Sequence, residues 1–150
     1  MSIILHVKYL DNYPTNNPLN YALLGDACVD LRNASEQETT EIFPGQRLLI
    51  PTGIKVSFPE NHVMKIYPRS GLAVKKGLTL VNNVGIIDSS FRGEIGVGLI
   101  NLSESVKTIK RGDRIAQFYI TDIPTMFIVK EKELPESARG SGGFGHTGDA

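Results

Sequence analysis

Short alternations of apolar and polar residues, each closed by a turn signal, run along most of the chain. Ile3, Leu5, Val7 and Tyr9 interleave with His6 and Lys8, a period of two that predicts a strand with one buried face. Pro44-Gly45 marks a turn, and residues 47–50 read as a strand closed by Pro51. Ile54, Val56 and Phe58 alternate with Lys55 and Ser57 before Pro59-Glu60-Asn61 turns the chain into a further strand over residues 62–67. Ile95, Val97 and Leu99 alternate with Gly96 and Gly98. Lys110-Arg111-Gly112-Asp113 is a turn leading into a strand over residues 114–120, and residues 127–129 are the last apolar run. Strands recurring about every ten residues between turn signals predict an all-β sandwich or barrel. One helix of about two turns is expected, with Ser70 as its cap, Leu72, Ala73 and Val74 within it and Gly77 at its end.

Length and composition narrow this picture. The chain has 150 residues, which fits one domain able to bury a sizeable core. Sixteen Lys plus Arg balance sixteen Asp plus Glu, so charge favours neither nucleic acid nor a membrane surface as a partner. No apolar stretch approaches the roughly 20 residues of a spanning helix. The opening MSIILHVKY has no basic segment before an apolar block, so the protein is expected not to be secreted. One cysteine, Cys28, excludes an internal disulfide and suits a reducing compartment. His6, His62 and His146 are scattered and give no structural zinc spacing. Residues 130–138 are charged and contain Pro135, and residues 139–150 hold five glycines and one aromatic. Such a tail cannot bury enough apolar surface to fold alone and reads as a mobile arm.

Four segments hold candidate chemistry. In Tyr67-Pro68-Arg69-Ser70-Gly71 a strand meets the start of the expected helix, where backbone N–H groups, the Arg69 fork and the Ser70 hydroxyl suit phosphate oxygens. Asn82-Asn83-Val84-Gly85 suggests a tight hairpin whose edge can present N–H and C=O groups to a planar base. After it, Ile86 and Ile87 lead straight into Asp88, a carboxylate placed to polarise a water as general base, an effect worth about 10²–10⁴-fold. In Arg111-Gly112-Asp113-Arg114-Ile115-Ala116-Gln117, alternation puts Arg114 and Ala116 on one face and Gln117 with Ile115 on the other. The Arg-Gly-Asp triplet carries no integrin reading in a chain not expected to be secreted, nor do Asn33-Ala34-Ser35 and Asn101-Leu102-Ser103 carry glycosylation. In the tail, Arg139 can meet a terminal phosphate, the glycines can turn backbone N–H groups toward an anion, and Phe144 can stack on a base.

Taken together, order and spacing resemble the trimeric dUTPases, the deoxyuridine triphosphate nucleotidohydrolases. Asp26-Ala27-Cys28-Val29-Asp30-Leu31 resembles their first motif, residues 68–73 the second, 85–94 the third, 111–117 the fourth and 139–148 the fifth. The resemblance implies an all-β, jelly-roll-like distorted β-barrel with one short helix. Residues 1–130 would form it, and residues 131–150 would be an arm closing a neighbouring subunit's site. It implies a homotrimer that hydrolyses dUTP to dUMP and pyrophosphate with Mg²⁺ on the phosphates, keeping uracil out of DNA and supplying dUMP for dTTP synthesis. One subunit would supply the second and fourth motifs, a neighbour the third, and the remaining subunit its arm.

Residue by residue, Asp88 matches the catalytic aspartate. Asn82, Gly85, Ile86, Ile87 and Gly96 match the uracil-binding edge. Phe91 matches the ring under the deoxyribose, and Phe144 the ring over uracil. Arg69, Ser70, Gly71, Gln117, Arg139 and Gly145 match phosphate-binding positions. No direct protein ligand to the metal is implied, with Asp30 reaching it through water. The chain departs from the family at Cys28 (usually Gly), Ser90 (often acidic), Phe91 (usually Tyr) and His146 (commonly Ser). A cytoplasmic protein is expected, or one of the host nucleus or cytoplasm for a viral enzyme. The alternatives are a dCTP deaminase-related enzyme and a dUTP-sensitive regulatory binding protein.

Overall fold

A computed structural model describes residues 2–143. Its elements, in chain order, are β1 (His6–Tyr9), β2 (Val29–Arg32), β3 (Thr39–Ile42), β4 (Arg47–Pro51), β5 (Ile54–Ser57), β6 (His62–Tyr67), α1 (Ser70–Lys76), β7 (Leu78–Leu80), β8 (Gly85–Asp88), β9 (Gly96–Asn101), β10 (Lys107–Lys110) and β11 (Arg114–Asp122). All pairings are antiparallel. The largest sheet runs β2-β11-β6-β8, a second runs β4-β9-β7, and β1-β5 and β10-β3 are two-stranded. These ladders wrap one core that includes Leu31, Ile42, Ile54, Met64, Leu78, Leu99, Ile115 and Phe118. The fold is jelly-roll-like, but the barrel is not closed, because β7 and β8 end separate sheets as unjoined edges.

The alternation reads correctly wherever one face is buried. In β5 and β9 every second side chain enters the core. The expected hairpin at residues 82–85 is a turn of another kind. Asn83 adopts a left-handed φ of 55°, but β7 pairs with β9 while β8 pairs with β6, so the turn passes the chain between sheets. The helix forms where expected and ends at Gly77, whose φ of 69° is the left-handed conformation that glycine tolerates best. Ser70 does not cap it. Arg69 is still extended and takes the cap position without a side-chain bond.

The two Asn-x-Ser triplets are buried braces. Asn33 and Asn101 are fully buried, and each accepts from the backbone N–H of the serine two residues on, at 2.9 Å in both cases. Arg111 of the Arg-Gly-Asp triplet donates to the carbonyls of Asn12, Ala34 and Ser35. Beyond β11 the described chain forms no strand or helix, and Met126, Phe127, Ile128 and Val129 are exposed.

Candidate active site

A cleft of about 400 Å³ opens where β6 hands over to α1, lined by Arg69, Ser70 and Gly71 from that junction and by Arg114 and Gln117 from β11. Gln117 pairs with Tyr67 across the ladder, and its side-chain amide donates to the Pro68 carbonyl at 3.0 Å, fixing the strand end to its neighbour. The Tyr67 and Tyr119 rings stack at 5.6 Å between centroids, nearly parallel, on the same two strands. Their hydroxyls lie 3.4 Å apart, and this contact, ahead of desolvation, pushes the Tyr67 pKa up.

Simple alternation puts Arg114 and Gln117 on opposite faces, yet both line the cleft. The register of β11 against β2 shifts between Arg114 and Ala116, and Ile115 and Ala116 are both buried. The bulge rotates Arg114 to the side of Gln117. Asp30, at the β11-facing position of β2, then meets two cations: Arg69 Nε at 2.8 Å and Arg114 NH1 at 3.1 Å. Arg114 and Lys76 at the cleft were not singled out from the sequence. Lys76 carried the signal of a cation in the last turn of a helix, while Arg114 carried only its place in the fourth motif, because the bulge is what aims it.

Cys28 is half-buried just before β2, its thiol pushed up by desolvation and then by the Asp30 charge. Among the described residues the non-glycine residues at positive φ are Asn61 and Asn83. Cys28 therefore needs no glycine conformation.

A second, smaller pocket of about 80 Å³ lies between the β8 edge and the β9 strand. It is lined by Asn82, Gly85, Ile86, Ile87 and Gly96, together with Ile66, Leu80, Val97 and Gly98. All five residues matched to base recognition thus come together. Ile66, Leu80 and Val97 escaped the sequence reading because buried core positions look alike until the strands are placed, and Gly98 because a glycine has no side chain to mark a site. An edge strand presents unpaired N–H and C=O groups, and β8 has β6 on one side only. Glycines at alternate positions 96 and 98 remove side chains from the outward face of β9. A Cβ at Gly96 would lie 2.8 Å from Leu49 Cδ1.

Asp88 ends β8, exposed, and Phe91 N–H donates to its carbonyl at 3.0 Å to close a turn. Arg92 clamps that turn through the carbonyls of Ser89 and Phe91. Gly93 makes room for the Phe91 ring, since a Cβ there would sit 2.5 Å from its Cζ.

The chain does not bring cleft and carboxylate together. Asp88 is opposite Val63, and Arg69 lies six residues further along from Val63. At about 3.3 Å per residue that separates them by roughly 20 Å. Arg139 is exposed and donates to the Gly142 carbonyl at 2.7 Å, away from the cleft lining. Phe144, Gly145 and His146 lie outside the described residues.

A model of the dUTPase family matches residues 17–148. The deoxyuridine 5'-triphosphate nucleotidohydrolase of Chlamydia pneumoniae is 50% identical over 129 residues, covering 85% of this chain and 88% of the relative. That of Thermoanaerobacter sp. is 45% identical over 148 residues, covering 99% of each. Among solved structures, the Staphylococcus bacteriophage 80alpha dUTPase with dUPNHPP matches at a TM-score of 0.85 and 27% identity, covering 97% of this chain and 98% of that one. The dUTPase of phage phi11 of S. aureus, solved as a mutant that reveals how a structural Mg(II) ion is coordinated, shares the fold at a TM-score of 0.77 and 24% identity, over 89% of this chain and 99% of that one.

Proposed function

The chain belongs to the dUTPase family, and on that premise we propose that it hydrolyses dUTP to dUMP and pyrophosphate at sites built between three copies of itself. One observation carries the composite site. The anion cleft and Asp88 lie at opposite ends of β6, roughly 20 Å apart, too far for one chain to close around one nucleotide. A neighbouring copy supplies what each end lacks. The exposed Met126, Phe127, Ile128 and Val129, at 79%, 89%, 93% and 71% exposure, are an apolar strip that a second copy would cover. Residues 1–130 form the domain, and residues 131–150 act as the arm that reaches a neighbour.

In this site Arg69, Ser70, Gly71 and Gln117 bind the phosphate oxygens, and Arg139 with Gly145 adds contacts from the arm. Asn82 and the β8 backbone read uracil, Phe91 packs under the deoxyribose and Phe144 covers the base. Phe91 keeps the bulk that excludes a 2′-hydroxyl although it lacks the usual phenol. Asp88 holds the attacking water and takes its proton. A bond forms from the water oxygen to the α-phosphorus, the bond from that phosphorus to the α–β bridging oxygen breaks, and pyrophosphate leaves. Holding the reactants in line and neutralising the phosphates is most of the catalysis.

The residues fit a substrate-borne Mg²⁺. Asp30 Oδ2 accepts an N–H from Arg114 and Oδ1 is ion-paired with Arg69, which leaves a lone pair on each oxygen for a metal-bound water. Bound by phosphate oxygens and waters, Mg²⁺ supplies charge neutralisation, an arrangement suited to a cation that dehydrates reluctantly. No helix among the described residues is long and apolar enough to cross a membrane. A cytoplasmic enzyme that limits uracil in DNA and provides dUMP is consistent with its free cysteine.

The test is pyrophosphate release from dUTP, dTTP, dCTP and UTP, with and without Mg²⁺. Selective release from dUTP is expected. Ammonia from dCTP, or no cleavage of dUTP, would overturn the proposal.

A further inference from the structure

The turn that follows Asp88 is tied by one exposed side chain. Asp88 ends β8, and β8 has β6 on one side only, so the sheet holds its backbone from that side alone. Ser89 and Ser90 come next, and one backbone bond, from Phe91 N–H to the Asp88 carbonyl at 3.0 Å, closes the turn. Arg92 closes it again. Its Nη1 donates to the Ser89 carbonyl at 2.6 Å and to the Phe91 carbonyl at 2.9 Å, so one nitrogen with two hydrogens joins carbonyls two residues apart. Nothing competes for this guanidinium. The ion pairs among the described residues both lie at Asp30. Arg92 also lines a shallow depression with His6, Lys8 and Lys55 of the β1–β5 ladder, and no carboxylate lines it. The Phe91 ring lies over Gly93, where a Cβ would come within 2.5 Å of its Cζ.

We propose that Arg92 is a positioning residue, which fixes Asp88 and Phe91 relative to each other by clamping the turn between them. This rests on the roles given to Asp88 and Phe91 in the proposed function. A water must be held in line with phosphorus, and a misplacement of about 1 Å can cost about 10²-fold. A turn of two serines, two residues ahead of a glycine, has little stiffness of its own to prevent that drift. The clamp therefore serves two ends at once, the carboxylate that holds the water and the ring that packs under the sugar. A surface arginine without this role would change neither turnover nor sugar selectivity when replaced.

The experiment compares the full-length wild type, Arg92→Met and Arg92→Lys in amide hydrogen exchange and in turnover of dUTP and UTP. Arg92→Met keeps much of the side-chain length and removes the donors. It should speed exchange of the Phe91 N–H about tenfold while amides of β6 and β11 exchange as before. Its kcat for dUTP should fall about tenfold and its preference for dUTP over UTP should narrow, with inhibition by pyrophosphate unaltered. Arg92→Lys, whose ammonium still donates, should recover part of each loss. Unchanged Phe91 exchange in Arg92→Met would overturn the clamp. A faster Phe91 amide with kcat and sugar preference intact would overturn the positioning role, as would equal acceleration across β6 and β11, which marks a stabiliser of the whole fold. Should Arg92→Met misfold, the wild type decides, because a Phe91 N–H exchanging as fast as in an unstructured peptide would overturn the clamp. A wild type that protects this amide through Arg92 but releases no pyrophosphate from dUTP would refute the enzymatic reading and leave the clamp standing.

Discussion

In the proposed site, the β6–α1 cleft and the β8 pocket would solve recognition by opposite means. The cleft uses charged side chains from a strand end and a bulge, tied together by Asp30 and by the Gln117 bond to Pro68. The pocket has a strand edge and three glycines, so its selectivity would lie largely in backbone and in empty space. A triphosphate has the same charge on every nucleotide, and arginines grip it without reading the base. A base offers a flat edge with fixed donors and acceptors, which a rigid strand can match. Damage to one region should therefore spare the other's discrimination.

The largest effect should come from Asp88, which lines neither region and is proposed to serve both. Asp88→Asn should lower turnover by about 10²–10⁴-fold while dUTP affinity in equilibrium binding stays near that of the wild type. Unchanged turnover would remove Asp88 from the chemistry. Next, a chain ending at Ser137 should fold and trimerise, as sedimentation would report, yet lose about a hundredfold in kcat/KM because the arm no longer excludes water. Full activity of that truncation would sink the closing arm.

Two further substitutions separate the regions directly. Arg69→Met should lower kcat/KM by about 10² and abolish inhibition by pyrophosphate, with the preference for dUTP over dCTP retained. Gly96→Val should show the reverse pattern. The new side chain meets the flexible end of Leu49, which is 76% exposed and free to swing, so the fold should survive. The KM for dUTP should rise about tenfold with pyrophosphate inhibition unaltered. If either variant lost both properties, the two regions would not be independent. The smallest change is Tyr119→Phe. It removes the hydroxyl contact that raises the Tyr67 pKa, so ultraviolet titration should find Tyr67 ionising at lower pH, with activity nearly unchanged.

Much of this was legible from the residues. The strands over residues 47–51, 54–57 and 62–67, the helix with its Gly77 stop and the all-β class follow from alternation and turn chemistry. The strands Thr39–Ile42 and Lys107–Lys110 did not stand out. They pair only with each other, half of their side chains are exposed, and solvent-facing polar residues carry little period. The resemblance to the dUTPases named Arg69 and Gln117 for the cleft and Asn82 and Gly96 for the pocket, and both groups converge. Arg114 was missed because a one-residue bulge reverses the face that alternation assigns.

The sequence by itself determined the class of fold, the family and the residue types of the proposed anion and base sites, because each depends on neighbours within a few positions. The tertiary structure decided that Asp30 joins two arginines that lie 39 and 84 positions away from it. It decided that the turn after Leu80 crosses between sheets, and that the β6–α1 cleft and Asp88 lie at opposite ends of one strand. Those outcomes depend on ladder register and on a bulge, which many distant contacts fix together and no local pattern encodes.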